Sequence, residues 1–271
     1  MSQPLVSVLI PVYQVEEYIE RCARSVFEQT YPNLEYVFVD DGSTDSSIDI
    51  LNNVIIDYHA LKDKILVIRH LQNRGLAAAR NTAIKSCHGD FVMHVDSDDW
   101  LEPDAAELLI RRQQETDADI VYTRGNYLEN QDTVKIDCRG WSTDREALLA
   151  NILQDTATMC IWSKLIRRSL YTDYDVTIDE LGSYYEDYQS LSQLVYYSKK
   201  IACLDAYIYH YDRANPLSIV TNALHSMEIQ QQGLRSIQSV SDFFQDKDPR
   251  YLEYIKVFKT SFLQRYPQMI S

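Results

Sequence analysis

The chain has 271 residues, of which 45% are hydrophobic and 24% charged, with only seven glycines and seven prolines. This composition is typical of one large folded domain and excludes collagen-like or low-complexity structure. The formal net charge of −14 argues against a nucleic-acid partner, because nucleic-acid affinity depends on many lysine and arginine contacts to phosphate.

Signals for a membrane or for an oxidising compartment are also missing. No apolar run reaches the length of about 18 residues needed to cross a bilayer. The segment SQPLVSVLIPV after Met1 lacks a basic region and a cleavage site, so we expect a cytoplasmic protein. The cysteines are odd in number and scattered without a CxxC pair, which indicates neither disulfides nor zinc. We expect them to be buried small residues: Cys22, Cys87, Cys138, Cys160 and Cys203.

Short β-branched runs alternate with helical patterns in the first hundred residues, which predicts parallel strands joined by helices. The predicted strands are 7–12, 35–40, 64–70 and 89–95, and the predicted helices are 18–27, 46–58 and 73–87. Pro103 fits the first turn of a further helix that runs to about residue 115. Beyond it we predict a strand at 117–123, a strand pair at 133–140, a helix at 143–154, a strand at 159–166, a helix at 184–199, a strand at 201–211 and two helices within 222–266.

Candidate ligand-contacting clusters close three of the four predicted parallel strands. They are PVY at 11–13, DDGS at 40–43 and DSD at 96–98. In open parallel sheets, ligands bind at the carboxyl ends of the strands, so these clusters predict a ligand site. Two carboxylates about 5 Å apart repel by roughly 3 kcal/mol at an effective dielectric constant near 20. A hard cation, Mg²⁺ or Mn²⁺, would offset that repulsion.

Not every acid near the fourth strand needs a metal. Asp99 and Asp104 can instead complement the N-terminus of the helix after Pro103. For Asp96 and Asp98 this explanation is weaker, because one capping carboxylate would suffice.

The segments PVYQVEEYI, VDDGSTD, NRGLAAARN and GDFVMHVDSDDWLEPD, in this order and spacing, resemble the family 2 glycosyltransferases of the GT-A fold. The resemblance implies an α/β fold with a Rossmann-like, mostly parallel sheet flanked by helices, and a C-terminal helical extension. It implies a catalytic domain over 1–221, with a nucleotide-sugar-binding half at 1–115 and an acceptor half at 116–221. Residues 222–271 would then be a helical extension packed on that domain.

The same resemblance assigns the donor site residue by residue. Pro11, Tyr13 and Glu16 match the segment that lines the nucleoside pocket, and Asp41, with Asp40, matches the acid that binds the base. Asp96 and Asp98 match the DxD motif, with Asp96 nearer the ribose and donor sugar and Asp98 on the metal. Arg80 and Asn81 match a helix beside the donor, where the arginine could alternatively hold carboxylates in place. Gln14 and Ala83 depart from the family's usual Asn and Gly.

The second half of the chain supplies a candidate base in the pair Glu186-Asp187. By the resemblance we expect Asp187 to deprotonate the acceptor hydroxyl, with Glu186 as the alternative. Both acids could instead be ordinary first-turn residues favoured by the helix dipole. His210 could approach the diphosphate, but a strand position explains it better. Lys164 and Arg213 could neutralise the leaving phosphate, and surface solvation explains them at least as well. The tyrosines of 184–211 could line an acceptor groove or simply form a core.

The resemblance therefore implies an inverting, metal-dependent, hexosyltransferase-like enzyme. It would move a sugar from a UDP-sugar to a hydroxyl of a glycan or lipid-linked acceptor, in surface polysaccharide biosynthesis, with peripheral contact at the inner membrane face. The alternatives are a nucleotidyl or sugar-phosphate transferase that uses the same metal–nucleotide half, and a catalytically silent subunit that binds a nucleotide sugar or a partner protein. P-loop, dinucleotide and serine-elbow motifs are absent from the sequence.

Overall fold

The structure is a computed structural model that describes residues 3–129, 132–216, 218 and 226–269. Its strands are β1 (Val6–Val12), β2 (Leu34–Asp40), β3 (Ile65–Arg69), β4 (Phe91–His94), β5 (Trp100–Leu101), β6 (Ile120–Glu129), β7 (Thr133–Asp137), β8 (Lys164–Arg167) and β9 (Ile201–Asp212). Its helices are α1 (Ile19–Phe27), α2 (Ser47–Asp57), α3 (Leu76–Ser86), α4 (Ala105–Thr116), α5 (Arg145–Leu153), α6 (Ser169–Thr172), α7 (Glu186–Tyr197), α8 (Met227–Phe244) and α9 (Pro249–Arg265). Two 3-10 turns lie at His59–Lys64 and Pro267–Met269.

The strands form one sheet in the order β3-β2-β1-β4-β8-β6-β9-β5, with β7 paired to β6. The first four strands are parallel, as the βα alternation predicts, and the sheet becomes mixed from β8 onward. The register places Val12 beside Asp40 and Leu9 beside His94, so β1, β2 and β4 end at one rim. All three clusters, at 11–13, 40–43 and 96–98, therefore lie on the same edge.

Helix α3 is alanine-rich because it packs closely on the sheet. The side chains of Ala77, Ala78, Ala79 and Ala83 are fully buried. Small side chains let a helix approach its partner closely, and here they bring Arg80 into the interior, where it is 2% exposed. The Ala83 departure from the usual glycine leaves this packing intact.

The C-terminal helices share a core with the sheet domain. Phe244 of α8 and Phe258 and Phe262 of α9 are fully buried and belong to the same apolar cluster as Tyr188 and Leu191 of α7. The two helices predicted for 222–266 are confirmed within the described residues, while residues 222–225 of that range lie outside them. Across the described chain, none of the helices combines the length and the apolar character that crossing a bilayer requires.

Three predicted elements differ from the structure. Residues 133–140 hold one strand, β7, which pairs with the distal half of β6 instead of forming a hairpin of its own. The strand predicted at 159–166 shortens to β8, because Ser163 has a left-handed backbone with φ of 57° that interrupts extended structure. The two-residue strand β5 was not predicted and is held by antiparallel pairing with β9.

Candidate active site

Asp41, at the end of β2, is a buried acid that anchors the loop leading into α3. One carboxylate oxygen lies 2.6 Å from His70 Nδ1 and accepts from the Arg74 N–H at 2.9 Å. The other oxygen accepts from the Gly75 N–H at 2.7 Å. Asp41 therefore uses both oxygens within the protein, at the positive end of the α3 dipole.

Asp40 and Gly42 complete this turn. Asp40 is fully buried, accepts from the Ser43 N–H at 2.7 Å and forms an ion pair with Arg69 at 3.1 Å. Gly42 has φ of 76°, and a Cβ atom there would lie 2.7 Å from the backbone carbonyl carbon of Gln72. A glycine is therefore required both by the left-handed backbone and by the close approach of the neighbouring chain.

The segment after β1 faces the same turn. The Tyr13 ring is 42% exposed at the rim, and the Pro11 position is buried beside Val39. The Glu16 carboxylate accepts from the Ser46 N–H at 2.8 Å, next to the start of α2. Gln14 adopts φ of 51°, a left-handed conformation that asparagine tolerates better than most residues, which gives a physical reason for the asparagine usual in the family.

Asp96 and Asp98 follow β4 at the same rim. Asp98 accepts from the Asn215 amide at 2.8 Å, and its backbone carbonyl accepts from the Arg21 guanidinium at 3.0 Å. Burial and the neighbouring Asp96 charge raise the pKa of Asp98 to about 6. The protein therefore leaves the charge of this carboxylate only partly compensated.

Asp99 has a structural role within the same loop. It is fully buried, and its two oxygens accept from the Tyr209 hydroxyl at 2.7 Å and from the Asp212 N–H at 2.8 Å. Tyr209 also accepts from the Asp96 N–H at 3.0 Å. Burial and the adjacent Asp98 charge raise the pKa of Asp99 well above its usual range. Asp99 therefore links the acidic loop to β9 and does not cap a helix. Asp104 occupies the N-cap of α4 without a side-chain capping bond.

Arg80 connects the two halves of the site. Its Nη2 atom lies 3.0 Å from Asp96, 3.4 Å from Glu186 and 3.8 Å from Asp187. The Nε and Nη1 atoms of Arg80 are buried and have no hydrogen-bond partner among the described residues. One guanidinium thus faces acids from two distant parts of the chain, the loop after β4 and the start of α7, and it retains donors for a further acceptor.

The two acids of α7 differ in their environments. Asp187 accepts from the Ile161 N–H through Oδ2 at 3.1 Å, while its Oδ1 atom is buried and has no hydrogen-bond partner among the described residues. Burial raises the pKa of Asp187, against the attraction of Arg80. Burial and the Asp187 charge raise the pKa of Glu186 to about 8. Ionisation of both acids together is therefore unfavourable, and the two carboxyl groups titrate as an interacting pair.

Several candidates lie elsewhere. Both amide atoms of Asn81 bond the backbone of Ile178, so Asn81 positions that loop in this structure. His210 is a strand residue stacked between Trp100 and Tyr127 and bonded to two glutamates. Lys164 is 1% exposed, so of the two alternatives left open for it, surface solvation does not apply.

The contacts that sequence reasoning missed come mainly from distant partners: His70 to Asp41, Tyr209 to Asp96 and Asp99, and Asn215 to Asp98. The alternating YIYHY pattern of β9 indicates that its tyrosines share one face of the strand, since residues two apart lie on the same face. Nothing in the pattern indicated which acid Tyr209 would contact.

An acidic loop at the end of β4 and a buried carboxylate pair on α7, joined by one arginine, define a two-part candidate site at the carboxyl ends of the parallel strands. Residues 7–174 match the family model for glycosyl transferase family 2. Over 265 residues the chain is 30% identical to EpsH of Bacillus subtilis (strain 168), named as a candidate glycosyltransferase, and the match covers 96% of this chain and 74% of EpsH.

Solved structures agree on the fold. The chain is similar to S. aureus TarS 1-349 in complex with UDP, with a TM-score of 0.70, 22% identity, and coverage of 97% of this chain and 71% of that one. It is also similar to the mannosyltransferase PcManGT from Pyrobaculum calidifontis in complex with GDP-Man and Mn²⁺, with a TM-score of 0.60, 16% identity, and coverage of 96% and 75%. The chain belongs to glycosyl transferase family 2 and has the GT-A fold.

Proposed function

We propose that this protein transfers a sugar from a UDP-sugar to a hydroxyl group of a glycan or lipid-linked acceptor, with inversion at the anomeric carbon. The observation that carries the proposal is the Arg80 bridge, which brings the acidic loop within one side chain of the Glu186-Asp187 pair. Donor activation and acceptor deprotonation need to occur within a few ångströms of each other, and this arrangement supplies both.

The acidic loop fits a divalent metal. Asp98 is a hard oxygen ligand, and because burial and the Asp96 charge raise its pKa, a bound cation would offset the cost of keeping it ionised. The described residues contain no cluster of three or more protein ligands, so Asp98, with Asp96, would hold Mn²⁺ or Mg²⁺ together with substrate phosphate and water. The bound ion would supply charge stabilisation for the departing nucleoside diphosphate.

Asp187 is the proposed base. Its Oδ2 accepts from the Ile161 N–H, which orients the carboxylate, while Oδ1, which has no hydrogen bond within the described part of the chain, would accept the proton of the acceptor hydroxyl. A pKa raised by burial increases the proton affinity of the carboxylate and so suits it to this task. Burial and the Asp187 charge raise the pKa of Glu186, so Glu186 is the less suitable of the two. Attack from the side opposite the leaving group gives inversion in a single displacement.

The nucleoside would lie on the rim formed by Pro11, Tyr13, Glu16, Asp40 and Asp41. The exposed Tyr13 ring provides a stacking face, and the Asp41 carboxylate is the proposed acceptor for the base. Asp41 already bonds the Arg74 and Gly75 N–H groups, so recognition of the base would add to an acid fixed in place. UDP is proposed because a structure of the same fold contains it.

The acceptor and its cellular setting are proposed by analogy with the family. The acceptor would be a growing surface polysaccharide, which a cytoplasmic enzyme would bind at the inner membrane face. The division into a donor half at 1–115, an acceptor half at 116–221 and a helical extension at 222–271 is proposed on the same basis.

The test is a calorimetric titration of UDP, GDP, dTDP and CMP into the purified protein, with and without Mn²⁺. We expect UDP to bind only with the metal, and Asp98→Ala to remove that binding. Asp104→Ala is the matched control, since Asp104 is an exposed acid of the same region without a capping bond. Binding that ignores both the metal and Asp98 would refute the donor site.

Turnover separates the remaining alternatives. Release of UDP from a UDP-sugar in the presence of an acceptor extract supports a glycosyltransferase, and its loss in Asp187→Asn with binding retained supports the base. Binding without turnover under all acceptors would favour a silent subunit. Release of a sugar phosphate or a nucleoside monophosphate would favour the nucleotidyl or sugar-phosphate transferase.

A further inference from the structure

One arginine joins three separate segments of the chain beside the acidic loop at 96–99. Arg21, on α1, donates through Nη2 to the Asp98 backbone carbonyl at 3.0 Å. The same nitrogen forms an ion pair at 2.6 Å with Asp212, at the end of β9. The Arg21 guanidinium carbon also lies 3.6 Å from the centroid of the Trp100 ring. Helix α1, the acidic loop and β9 are therefore connected through a single side chain.

The aromatic stack beneath Arg21 fixes the position of its guanidinium. Trp100 stacks on His210, with ring centroids 4.7 Å apart and planes inclined by 12°. The same two residues are paired across β5 and β9. A planar guanidinium on an aromatic face is already oriented for hydrogen bonding, so little further side-chain freedom is lost when the bonds form. Arg21 is therefore held in place although its side chain is 42% exposed.

The ion pair with Asp212 connects Arg21 to the Asp98 carboxylate. The other oxygen of Asp212 accepts from the Ala214 N–H at 2.8 Å, which closes a tight turn after β9. The next residue is Asn215, whose amide donates to Asp98 Oδ2 at 2.8 Å. Arg21 therefore reaches Asp98 by two routes, directly at the backbone carbonyl and through this turn at the carboxylate.

We infer that Arg21 is a positioning residue that holds the acidic loop in the conformation that presents Asp98 to a divalent cation. Partners of a metal-binding side chain fix its orientation, and their replacement typically costs about 10- to 100-fold in metal affinity or activity. Lysine at this position keeps the charge but lacks the planar fork that bonds the Asp98 carbonyl and the Asp212 carboxylate together. Arg21→Lys therefore changes the geometry of the loop while the net charge stays constant.

The first experiment measures the loop in the metal-free protein. Hydrogen exchange of the full chain, followed by mass spectrometry, compares Arg21→Lys with the wild type over residues 95–101 and 209–215. The Asp96 N–H donates to the Tyr209 hydroxyl and the Asp99 N–H to the Asp96 carbonyl, both at 3.0 Å, so a loosened loop exposes these amides. We expect exchange about 10-fold faster in the variant, the factor that corresponds to the loss of one hydrogen bond to a charged group. Unchanged exchange would overturn the inference.

Arg24→Lys is the matched control for this experiment. Arg24 lies three residues further along the same helix, is 37% exposed, and forms ion pairs with Glu20 at 2.9 Å and Asp57 at 2.8 Å. The same chemical change is therefore made on α1 without removing a bond to the acidic loop, and we expect exchange like that of the wild type. Both arginines are partly exposed, so both variants should keep the wild-type melting temperature. Equal acceleration of exchange in the two variants would overturn the inference, because the effect would then come from α1 as a whole.

The second experiment measures the effect on the cation. Mn²⁺ is titrated into each protein in the presence of UDP and followed by electron paramagnetic resonance. We expect the Mn²⁺ dissociation constant of Arg21→Lys to be about 10- to 100-fold higher than that of the wild type, and that of Arg24→Lys to be unchanged. Equal Mn²⁺ affinity in Arg21→Lys and the wild type would overturn the positioning of Asp98.

The two experiments separate this inference from the proposed function. The effect on Mn²⁺ affinity rests on the proposed function, whereas the hold of Arg21 on the loop does not. A wild-type protein that fails to bind Mn²⁺ would refute the proposed donor site and with it the presentation of Asp98 to a cation. Faster exchange in Arg21→Lys alone would still establish Arg21 as the residue that holds the loop.

Discussion

Replacing Arg80 with methionine tests whether this side chain holds the two halves of the site together. The substitution keeps the length of the buried stem and removes the charge that faces three carboxylates at 3.0, 3.4 and 3.8 Å. Breaking a buried ion pair by removing one partner typically costs about 3–5 kcal/mol, because the remaining charge is left uncompensated. We therefore expect Arg80→Met to lower the free energy of unfolding by about 3–5 kcal/mol at neutral pH, a large share of an ordinary domain's stability.

The loss should depend on pH. The pKa values of Glu186 and Asp187 are already raised by burial, and Arg80 opposes that effect. Without Arg80 both pKa values rise further, so the folded state retains protons that the unfolded chain has released. Stability then falls as the pH rises above the unfolded carboxyl values of about 4. The deficit of Arg80→Met should be smaller at pH 5 than at pH 8.

Urea unfolding of the wild type and the variant at pH 5, 6.5 and 8, followed by circular dichroism, measures both effects. Arg74→Met is the matched control, because Arg74 is a partly exposed arginine of the adjoining loop with a single ion pair to Glu180. Exposed pairs contribute about 0–1 kcal/mol, so the control should change little. A loss below about 1 kcal/mol for Arg80→Met, equal at all three pH values, would refute the argument that Arg80 compensates these acids.

Three further predictions address single residues. Asp187→Asn should lower kcat by about 10²–10⁴-fold and leave UDP affinity unchanged in calorimetry, and an equal loss of affinity would contradict a role as base. The stability of Glu186→Gln relative to the wild type should increase by a few kcal/mol from pH 5 to pH 8. The folded wild type keeps a proton on Glu186, whose pKa is about 8, whereas the unfolded chain releases it over this range. A stability difference in urea unfolding that does not change with pH would contradict this. Gly42→Ala should lose about 1–3 kcal/mol of stability from its φ of 76° and its contact with Gln72, and an unchanged melting temperature would count against it.

The parallel half of the fold and the acidic rim could be predicted from sequence because both depend on local patterns. Alternating strand and helix periods, the DDGS and DSD clusters, and the alanine-rich α3 each occupy a short stretch of chain. The family resemblance covers this same region. Burial specifies the register of β1, β2 and β4, and this register brings the clusters to one rim.

The second half was less predictable because its elements depend on distant partners. β7 exists because β6 continues to Glu129 and offers it an edge, and β5 exists because β9 pairs with it. The length of β8 is set by the left-handed backbone at Ser163, which no sequence period indicates. Tyr185, the N-cap of α7, also has a positive φ of 65°, and the acid pair that faces Arg80 follows it directly.

Two groups at the centre of the proposed site carry buried polar atoms without hydrogen bonds. Among the described residues, the Nε and Nη1 atoms of Arg80 have no acceptor, and the Oδ1 atom of Asp187 has no hydrogen-bond donor and lies 3.8 Å from Arg80 Nη2. Buried polar atoms without partners cost about 1–3 kcal/mol each, so a fold retains them where a ligand completes them. A donor sugar or phosphate oxygen would satisfy Arg80, and an acceptor hydroxyl would satisfy Asp187. A hydroxyl between them would then stand within reach of both the base and the sugar to be transferred, which is the geometry a direct displacement requires.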